Sequence, residues 1–537
     1  MTHPTAVTLV LSALFSAALA ACRSSNAGPT PETTARDASL PPDAIVVPDG
    51  SSDHFIASDT AGNEASVPDV SATEAASPDA IRVADAAPDT TTVDALFPKD
   101  AISVSDAAPD TVDAPFSEDA ISVTDAAPGP DIATTMSSIQ RIADPQVPDA
   151  DSTTLAADNA AFAFDAYKQL ILTNTTNLIF SPASISIALA MTYAGAAGAT
   201  ATEMAQALHF TLPPERLHPA FNDLDQALAS RGQGKLGADG GPMRLHLVNA
   251  LWAEKTYTFK TDFLNILAAN YGAGVNLLDF KYAPDPSRVT INDWVAYQTE
   301  NKIQNVLPPG SIGTLTRLVL TNVVYFNSAW HTSFDPAKTA DGSFALLDGS
   351  SVTTKFMKAT LPSLPMMQGT NFVAASLPYA DESLSLVVVV PDTGQFSQVE
   401  SSLDAPALGT IVAGLRLTSQ PVQLALPRFK IETGTSLVRL LTNLGMKSAF
   451  DSSGAADFSS MDGTRFLYLS EIIHKAFIDV TEAGTEAAAV TIVVGTGRGG
   501  IAMPVNFTAN RPYLYFLRDQ PTGAILFMGR VLDPSQN

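Results

Sequence analysis

The chain has 537 residues and a formal net charge of −25, with 55 acidic against 30 basic residues, and Cys22 is its only cysteine. A single cysteine excludes an intramolecular disulfide, so the fold must depend on a large apolar core. The length exceeds that of an average domain, and the uneven composition divides the chain better than length does.

An uncharged apolar segment opens the chain. Residues 1–22 carry no charged side chain, and the apolar run over 7–21 is too short for a membrane span, which is typical of a secretion signal. Residues 19–22, Leu-Ala-Ala-Cys, resemble the bacterial lipobox, in which the cysteine becomes the lipid-modified first residue. We therefore expect a lipoprotein signal peptide over 1–21 and a membrane anchor at Cys22. A plain signal peptide cut near an incidental cysteine is the alternative.

The next segment is acidic and repetitive. Residues 23–150 contain 23 acidic and 5 basic residues, a net charge of −18, and are rich in Asp, Ala and Pro with few aromatic residues. Such a composition offers too little apolar area to offset the entropy of ordering. A related ten-residue phrase recurs at 79–88, 100–109 and 119–128. We interpret 22–150 as a disordered tether, and a solenoid is disfavoured because each repeat has only two apolar residues for a core.

Residues 151–537 alternate between helical and extended patterns, as expected of one large mixed domain. Ser181 followed by Pro182 predicts a capped helix start, and the Ala-rich run after it predicts a buried helix. Helical patterns cover 155–170, 182–193, 294–303 and 436–444. Runs of β-branched or alternating residues predict strands at 318–326, 384–390, 422–426, 513–517 and 524–528. The predicted class is α+β with a large sheet.

No cluster of side chains predicts a metal or catalytic site, and we expect neither a metal nor a cofactor. His209 and His218 stand nine residues apart with no acidic ligand at helical spacing. Residues 495–500 fit the G-x-G-x-x-G pattern of dinucleotide sites, but the residues that follow contain Pro504 and no helical pattern. The glycines therefore serve another purpose.

The segment 482–500 combines two properties. Residues 485–494 are small, β-branched or apolar apart from Glu486, and they include no proline, which suits a strand. Residues 495–500 contain four glycines around Arg498, which indicates a flexible loop with one long basic side chain. The chain thus joins a segment able to form a strand to a segment able to be cut.

Several motifs, in order, carry a resemblance to a known family. They are the segment Asn-Leu-Ile-Phe-Ser-Pro-Ala-Ser-Ile over 177–185, Asn322 with Trp330, His474 with the segment 482–489, residues 507–513, and residues 527–531. From about 152 to 537 the chain resembles the serpins over essentially their whole length. The resemblance implies a serpin fold with a large mixed sheet, smaller sheets, about eight or nine helices and an exposed reactive loop near the C-terminus.

In inhibitory serpins a protease cuts the exposed loop and is trapped as an acyl-enzyme when the cut loop inserts into the main sheet. The family spacing, which is antithrombin-like, implies that Arg498–Gly499 is the reactive bond. It also implies an inserting hinge formed by Glu482, Gly484, Thr485, Glu486, Ala487, Ala488, Ala489, Val490 and Thr491. By alternation, Thr485, Ala487, Ala489, Thr491 and Val493 would face inward, and all of them are small or β-branched. Insertion is therefore expected.

The resemblance further implies a buried polar network, the shutter, beneath the opening strands, formed by Ser181, Ser184, Asn322 and His474. Trp330 would mark the point of first insertion. For each residue, ordinary capping or packing is the alternative.

We expect a monomeric inhibitor, not an enzyme, with a trypsin-like serine protease as partner, because an Arg at the cut position suits a pocket with a carboxylate at its base. An arginine-preferring cysteine protease is the next candidate partner. A non-inhibitory binding or adhesion lipoprotein is the alternative function. We expect no nucleic-acid partner, and no Lys/Arg cluster marks a heparin-like cofactor site. The expected location is the bacterial envelope, membrane-anchored, or extracellular.

Overall fold

The computed structural model describes residues 129–485 and 503–536. The described part of the chain contains ten α-helices, against the eight or nine predicted. They are α1 Asp149–Ile171, α2 Pro182–Tyr193, α3 Gly198–Ala207, α4 Pro214–Ala229, α5 Thr261–Tyr271, α6 Pro284–Gln298, α7 Phe396–Ser402, α8 Ala405–Gly414, α9 Val438–Asn443 and α10 Ser459–Asp462.

Eighteen strands are described in the same ranges. They are β1 Thr134–Thr135, β2 Leu178–Phe180, β3 Arg244–Glu254, β4 Val275–Leu278, β5 Leu318–Ala329, β6 Ala340–Ala345, β7 Ser351–Leu361, β8 Pro365–Gln368, β9 Phe372–Pro378, β10 Leu384–Pro391, β11 Arg416–Leu417, β12 Val422–Pro427, β13 Phe429–Ser436, β14 Leu469–Val480, β15 Gly484–Thr485, β16 Val505–Thr508, β17 Tyr513–Asp519 and β18 Ile525–Val531.

The strands form three sheets. The large sheet has the order β1-β4-β3-β5-β15-β14-β13 and mixes parallel with antiparallel pairs. A second seven-stranded sheet has the order β11-β8-β9-β10-β17-β18-β2, and a four-stranded sheet has the order β16-β12-β7-β6. The predicted α+β class with one large mixed sheet is confirmed.

Helix α2 occupies the centre of the core. Every residue from Pro182 to Thr192 is buried, as the absence of polar periodicity in this Ala-rich run predicts. The Ser181 side chain accepts a hydrogen bond from the Ser184 amide and caps the helix, and Pro182 takes the first helical position. The predicted helix start is therefore present, and it places two serines directly beneath the large sheet.

Helix α6 begins earlier than the sequence pattern indicates. The prediction covers 294–303, whereas the helix runs Pro284–Gln298. Glu300 and Asn301 have φ angles of 51° and 61°, a left-handed conformation that ends the helix before the predicted end. A second apolar cluster, which includes Trp252, Val295 and Ile303, packs this helix on the large sheet.

The described domain begins before residue 151, where the sequence analysis expects it to begin. Thr134 and Thr135 pair with β4 at the sheet edge, and the Ile142 amide donates to the Ala269 carbonyl at 2.9 Å. Arg141 donates to Asn222 at 2.8 Å and pairs with Asp225 at 2.6 Å. The composition assigns residues 129–150 to the tether, but in the structure they belong to the domain. This segment has little apolar area to bury, and polar and backbone hydrogen bonds hold it in place. The predicted tether over 22–128 lies outside the described residues.

None of the helices in these described ranges has the length and apolar character that a membrane span needs. Within the same ranges, no group of three or more His, Cys, Asp or Glu side chains is arranged to hold a metal ion.

Candidate functional site

The large sheet contains a seam between two central strands. Strands β5 and β14 run parallel and pair directly from Leu318 with Leu469 to Val324 with Ala476. Beyond that level β15 lies between them, with Thr485 opposite Ser328 on one side and Val480 on the other. We call the end that holds β15 the upper end of the seam and the Leu318–Leu469 end the lower end.

Thr485 is fully buried in the upper end of the seam. Its hydroxyl lies 2.8 Å from the Tyr379 hydroxyl beneath the sheet. Burial raises the pKa of Tyr379, so this phenol stays neutral and is able to act as donor or acceptor. A small β-branched side chain at 485 therefore fits a site between two paired strands.

Gly484 is required by the same geometry. Its φ is +155°, and a Cβ at this position would lie 2.1 Å from the Ser328 carbonyl oxygen and 2.7 Å from the Ala329 Cα. Both neighbours are backbone atoms and have little freedom to move. Only glycine allows the chain to enter the seam here without displacing β5.

Two stacked aromatic rings hold the chain that leads into the seam. Trp330 lies parallel to Tyr379 with ring centroids 4.5 Å apart. Its indole nitrogen donates to the Thr481 carbonyl at 2.9 Å, and its amide donates to the Ala483 carbonyl at 2.9 Å. Trp330 thus fixes the segment immediately before β15 by two hydrogen bonds as well as by packing.

Glu482 anchors the same segment through charge. Its carboxylate receives hydrogen bonds from Arg428, at 2.8 Å and 2.6 Å, and from the Thr339 hydroxyl at 2.5 Å. Burial opposes ionisation, but the hydrogen bonds from Arg428 and Thr339 prevail and lower the pKa of Glu482. The ionised Glu482 therefore ties the segment before β15 to two other places in the fold. One is Arg428, directly before β13, and the other is Thr339, directly before β6.

A buried polar cluster crosses the seam below β15. His474 on β14 stands directly opposite Asn322 on β5, and its Nδ1 lies 2.5 Å from the Asn322 side-chain oxygen. Its Nε2 accepts a hydrogen bond from the Ser181 amide at 3.1 Å. The Asn322 amide donates to the Ser184 hydroxyl at 2.5 Å. The structure thus brings Ser181, Ser184, Asn322 and His474 into one network.

His474 is neutral in this network. It is completely buried, and burial lowers its pKa to about 3. Because Nε2 accepts from a backbone amide, the ring proton resides on Nδ1 and is donated to Asn322. The ring therefore has one tautomer, with the Ser181 amide and the Asn322 side-chain oxygen as its two partners.

Asn249 is a further member of the cluster that sequence reasoning missed. It pairs with Asn322 across β3 and β5, and its side-chain oxygen accepts from the Asn322 amide and from the Ser184 hydroxyl. An asparagine within the apolar run 247–253, which the structure shows to be part of β3, is the signal that would have found it.

The network is incompatible with an additional strand at its level. Adjacent strands lie about 4.8 Å apart, so a strand placed between β5 and β14 would roughly double their separation. The His474–Asn322 hydrogen bond would then break. The cluster therefore opposes extension of β15 down the seam unless new partners replace the lost bond.

The other predicted positions lie outside the described residues. They are Cys22, Glu486, Ala487, Ala488, Ala489, Val490, Thr491, Arg498 and Gly499. Their predicted roles in lipidation, insertion and cleavage remain predictions.

A comparison with protein families identifies the class of protein that this fold and seam define. The family model for Serpin (serine protease inhibitor) matches residues 157–534. The chain therefore belongs to the serpin family, and the resemblance predicted from its motifs is confirmed.

Individual relatives agree with this assignment. Leukocyte elastase inhibitor of Equus caballus is 37% identical over 390 residues, which cover 71% of this chain and 99% of the relative. An uncharacterized serpin-like protein of Thermococcus kodakarensis is 36% identical over 376 residues, covering 70% of this chain and 84% of the relative.

Solved structures are also similar. The thermophilic serpin tengpin in its native state matches with a TM-score of 0.65 at 27% identity, over 75% of this chain and 99% of that one. Human thyroxine-binding globulin, complexed with thyroxine, matches with a TM-score of 0.63 at 28% identity, over 72% of this chain and 99% of that one.

Proposed function

We propose that this chain inhibits trypsin-like serine proteases as a suicide substrate. The protease serine attacks the Arg498 carbonyl, the Arg498–Gly499 bond breaks, and the Gly499 amine leaves with the proton that the serine gives up. The cut chain then extends β15 down the seam before water hydrolyses the acyl ester. The protein is consumed and is not an enzyme.

The observation that carries this proposal is the position of β15. Gly484 and Thr485 already occupy the upper end of the seam, between strands that pair directly below them. Extension needs the following residues to repeat the pairing of Thr485, and it needs β5 and β14 to separate with loss of the His474–Asn322 hydrogen bond. Residues 486–494 contain no proline, and their alternate members are small or β-branched.

Arg498 defines the proposed class of target. A guanidinium pairs with a carboxylate at the base of a specificity pocket through charge-assisted hydrogen bonds, as in trypsin, whereas elastase has a small pocket. The chain's relatives named leukocyte elastase inhibitor support protease inhibition in general. The arginine favours an arginine-cleaving target, and an arginine-preferring cysteine protease is the next candidate.

A denaturing gel after mixing with trypsin tests the proposal. We expect a band at the combined mass of protease and inhibitor, because an ester survives denaturation. Arg498→Ala should abolish that band with trypsin while leaving the melting temperature of the uncut protein unchanged. If cleaved inhibitor is the sole product at every ratio, trapping is wrong.

A binding role is the second candidate, and one observation favours it. A cavity of about 240 Å³ lies between α1, α4 and the β17–β18 turn, and both polar atoms of the buried Asn159 beside it have no hydrogen-bond partner. Under this candidate, cleavage within 486–502 should leave the melting temperature unchanged. Under the inhibitory proposal the melting temperature should rise, because the cut chain adds a strand to the large sheet and gains its backbone hydrogen bonds.

We also propose that Cys22 attaches the protein to a membrane of the bacterial envelope through an acidic tether. The apolar run over 7–21 and the sole cysteine directly after it support this. Cys22→Ser should move the protein from the detergent-soluble membrane fraction to the aqueous fraction. Unchanged fractionation would contradict the anchor.

A further inference from the structure

A polar groove of about 360 Å³ crosses the exposed face of the four-stranded sheet. Strand β12 runs through it, and β7 and β16 pair with β12 on either side. The short 3₁₀ turn Pro336–Lys338, directly before β6, contributes one further side chain. Its volume is within the usual range for a small-molecule site. The polar lining consists of Lys338, Lys358, Thr360, Gln423, Asn506 and Thr508.

One row of the groove holds three uncharged polar side chains. Gln423 on β12 pairs with Thr360 of β7 on one side and with Asn506 of β16 on the other. All three are exposed, whereas the next residue on β12, Leu424, is buried, so the row faces solvent. Within 129–485 and 503–536 these three side chains make no hydrogen bond. Amide and hydroxyl groups both donate and accept, so the row matches the hydroxyl groups of a sugar.

The adjacent row holds positive charge. Ala425 on β12 pairs with Lys358 on one side and with Thr508 on the other. Lys338 lines the groove from the turn before β6. Two ammonium groups that share one groove repel each other, and the small Ala425 leaves room beside them for an anion. This row therefore has the charge and the space that a phosphate group needs.

The two lysines lack the close partner that another lysine of the sheet has. Lys355, also on β7, stands directly opposite Asp341 on β6 and pairs with it at 2.9 Å. Among the described residues, Lys358 forms no ion pair, and Lys338 has Asp335 at the long distance of 3.8 Å. Of the described residues that line the groove, none is acidic or aromatic. The groove thus offers positive charge that the fold leaves largely unneutralised.

We propose that this groove binds a sugar phosphate. A phosphate monoester carries a charge of about −1.5 to −2 and three acceptor oxygens, to which the Lys338 and Lys358 ammonium groups and the Thr508 hydroxyl donate. The row of three uncharged side chains exchanges hydrogen bonds with the sugar hydroxyls. A nucleotide fits less well, because the lining has no aromatic ring on which a base stacks. This binding role is independent of protease inhibition.

A bound ligand should also stabilise β16. This strand has four residues, lies at the edge of its sheet and pairs with β12. A ligand that contacts Asn506 and Thr508 as well as Gln423 adds hydrogen bonds between the two strands. The backbone amides of Val505–Thr508 should therefore exchange more slowly with deuterium when a sugar phosphate is bound.

Isothermal titration calorimetry of the full chain tests the proposal with glucose 6-phosphate, inorganic phosphate and glucose. We expect glucose 6-phosphate to bind about tenfold more tightly than inorganic phosphate, and glucose to bind more weakly than both. Lys338→Gln with Lys358→Gln should weaken glucose 6-phosphate binding at least about tenfold. The matched control, Lys168→Gln with Lys235→Gln, removes the same charge from exposed lysines elsewhere and should bind as the wild type does.

A second variant isolates the uncharged row. Gln423→Ala with Asn506→Ala should bind inorganic phosphate as the wild type does and lose the tenfold advantage of glucose 6-phosphate. All variants should keep the wild-type melting temperature, because the replaced side chains are exposed.

Three outcomes would overturn the proposal. Equal wild-type affinity for glucose 6-phosphate and inorganic phosphate contradicts the ligand class. Unchanged affinity in the Lys338/Lys358 variant, or an equal loss in its control, contradicts the site. Vesicles that contain lipid A, a phosphorylated sugar lipid, distinguish two sources of the ligand. Pelleting of the Cys22→Ser chain with them that glucose 6-phosphate reverses assigns the ligand to a membrane, and binding of glucose 6-phosphate without pelleting assigns it to a free sugar phosphate.

Discussion

The two ends of the seam between β5 and β14 differ in what separates the strands. At the upper end β15 already lies between them, with Thr485 buried against Tyr379 and the preceding segment held by Trp330. At the lower end the strands pair directly, and the His474–Asn322 hydrogen bond closes the middle. A short strand thus already occupies the upper end of the seam in the uncut fold, whereas the proposed extension of that strand would have to break a buried polar network.

The largest effect is expected at Thr485. Thr485→Arg places a charge in a site with no exposure to water, so β15 should leave the seam and nearly every cleavage should yield cut protein without a complex. The stoichiometry of trypsin inhibition should rise on the order of 100-fold. Thr410→Arg, on the exposed face of α8, is the control and should inhibit as the wild type does. Retained inhibition by Thr485→Arg would refute the role of β15 as the leading edge of insertion.

Acidification should destabilise the fold through two buried histidines, His474 in the polar network and His218 on α4. Burial lowers the pKa of His474 to about 3 and that of His218 to about 4, whereas an unfolded histidine titrates near 6.5. The unfolded chain therefore binds more protons between these values, and stability is lost as pH falls from about 6.5 towards 4. Each histidine should cost about 2 kcal/mol at pH 5, which urea unfolding at pH 7 and pH 5 measures. A free energy of unfolding that does not change between these values would contradict the neutral, buried His474.

Removing His474 tests the polar network at constant pH. His474→Ala leaves the Ser181 amide and the side-chain oxygen of Asn322 without their buried partner, so the free energy of unfolding should fall by about 3 kcal/mol at pH 7. The loss of stability between pH 7 and pH 5 should be about half as large in this variant as in the wild type. His331→Ala, at a half-exposed site, is the control and should change stability by less than about 0.5 kcal/mol. Equal losses of stability in both variants would contradict a specific contribution of the polar network to the free energy of unfolding.

The smallest effect is expected at the anchor of the upper end. Glu482→Gln replaces a carboxylate that is paired with Arg428, but the arginine is about half exposed and water screens it. The free energy of unfolding should fall by about 1 kcal/mol, and less in 1 M salt. Glu432→Gln, whose carboxylate is 51% exposed against 7% for that of Glu482, should cost less than about 0.5 kcal/mol. A larger loss for Glu432→Gln would contradict an anchor at Glu482.

The sequence predicts best where one local cause dominates. The long β-branched run over 318–326 forms most of β5, which runs Leu318–Ala329, and Ser181 with Pro182 starts a buried helix as their chemistry requires. The cluster of His474 with Asn322 came from family motifs, because residues 152 positions apart leave no local pattern. Their hydrogen bond depends on strand register, which only the assembled sheet fixes.

Two features escaped prediction for physical reasons. Pairing of β15 involves two residues, and its stability comes from Ser328, Val480 and Tyr379, which are distant in sequence. The segment 129–150 has little apolar periodicity and is held by Arg141 and by backbone pairing with β4. A composition argument misses contacts of this kind, since it weighs only the apolar area available for burial.

A disulfide across the seam tests the account most directly. Val323 on β5 pairs with Lys475 on β14, and Val323 also pairs with Val248 on β3. In a chain with Cys22→Ser, Val323→Cys with Lys475→Cys should cross-link the seam that must open, whereas Val323→Cys with Val248→Cys cross-links its neighbour. We predict that the oxidised first variant is cut by trypsin without forming a complex and regains inhibition on reduction, while the second inhibits in both states. A covalent complex formed by the oxidised first variant would contradict the opening of this seam.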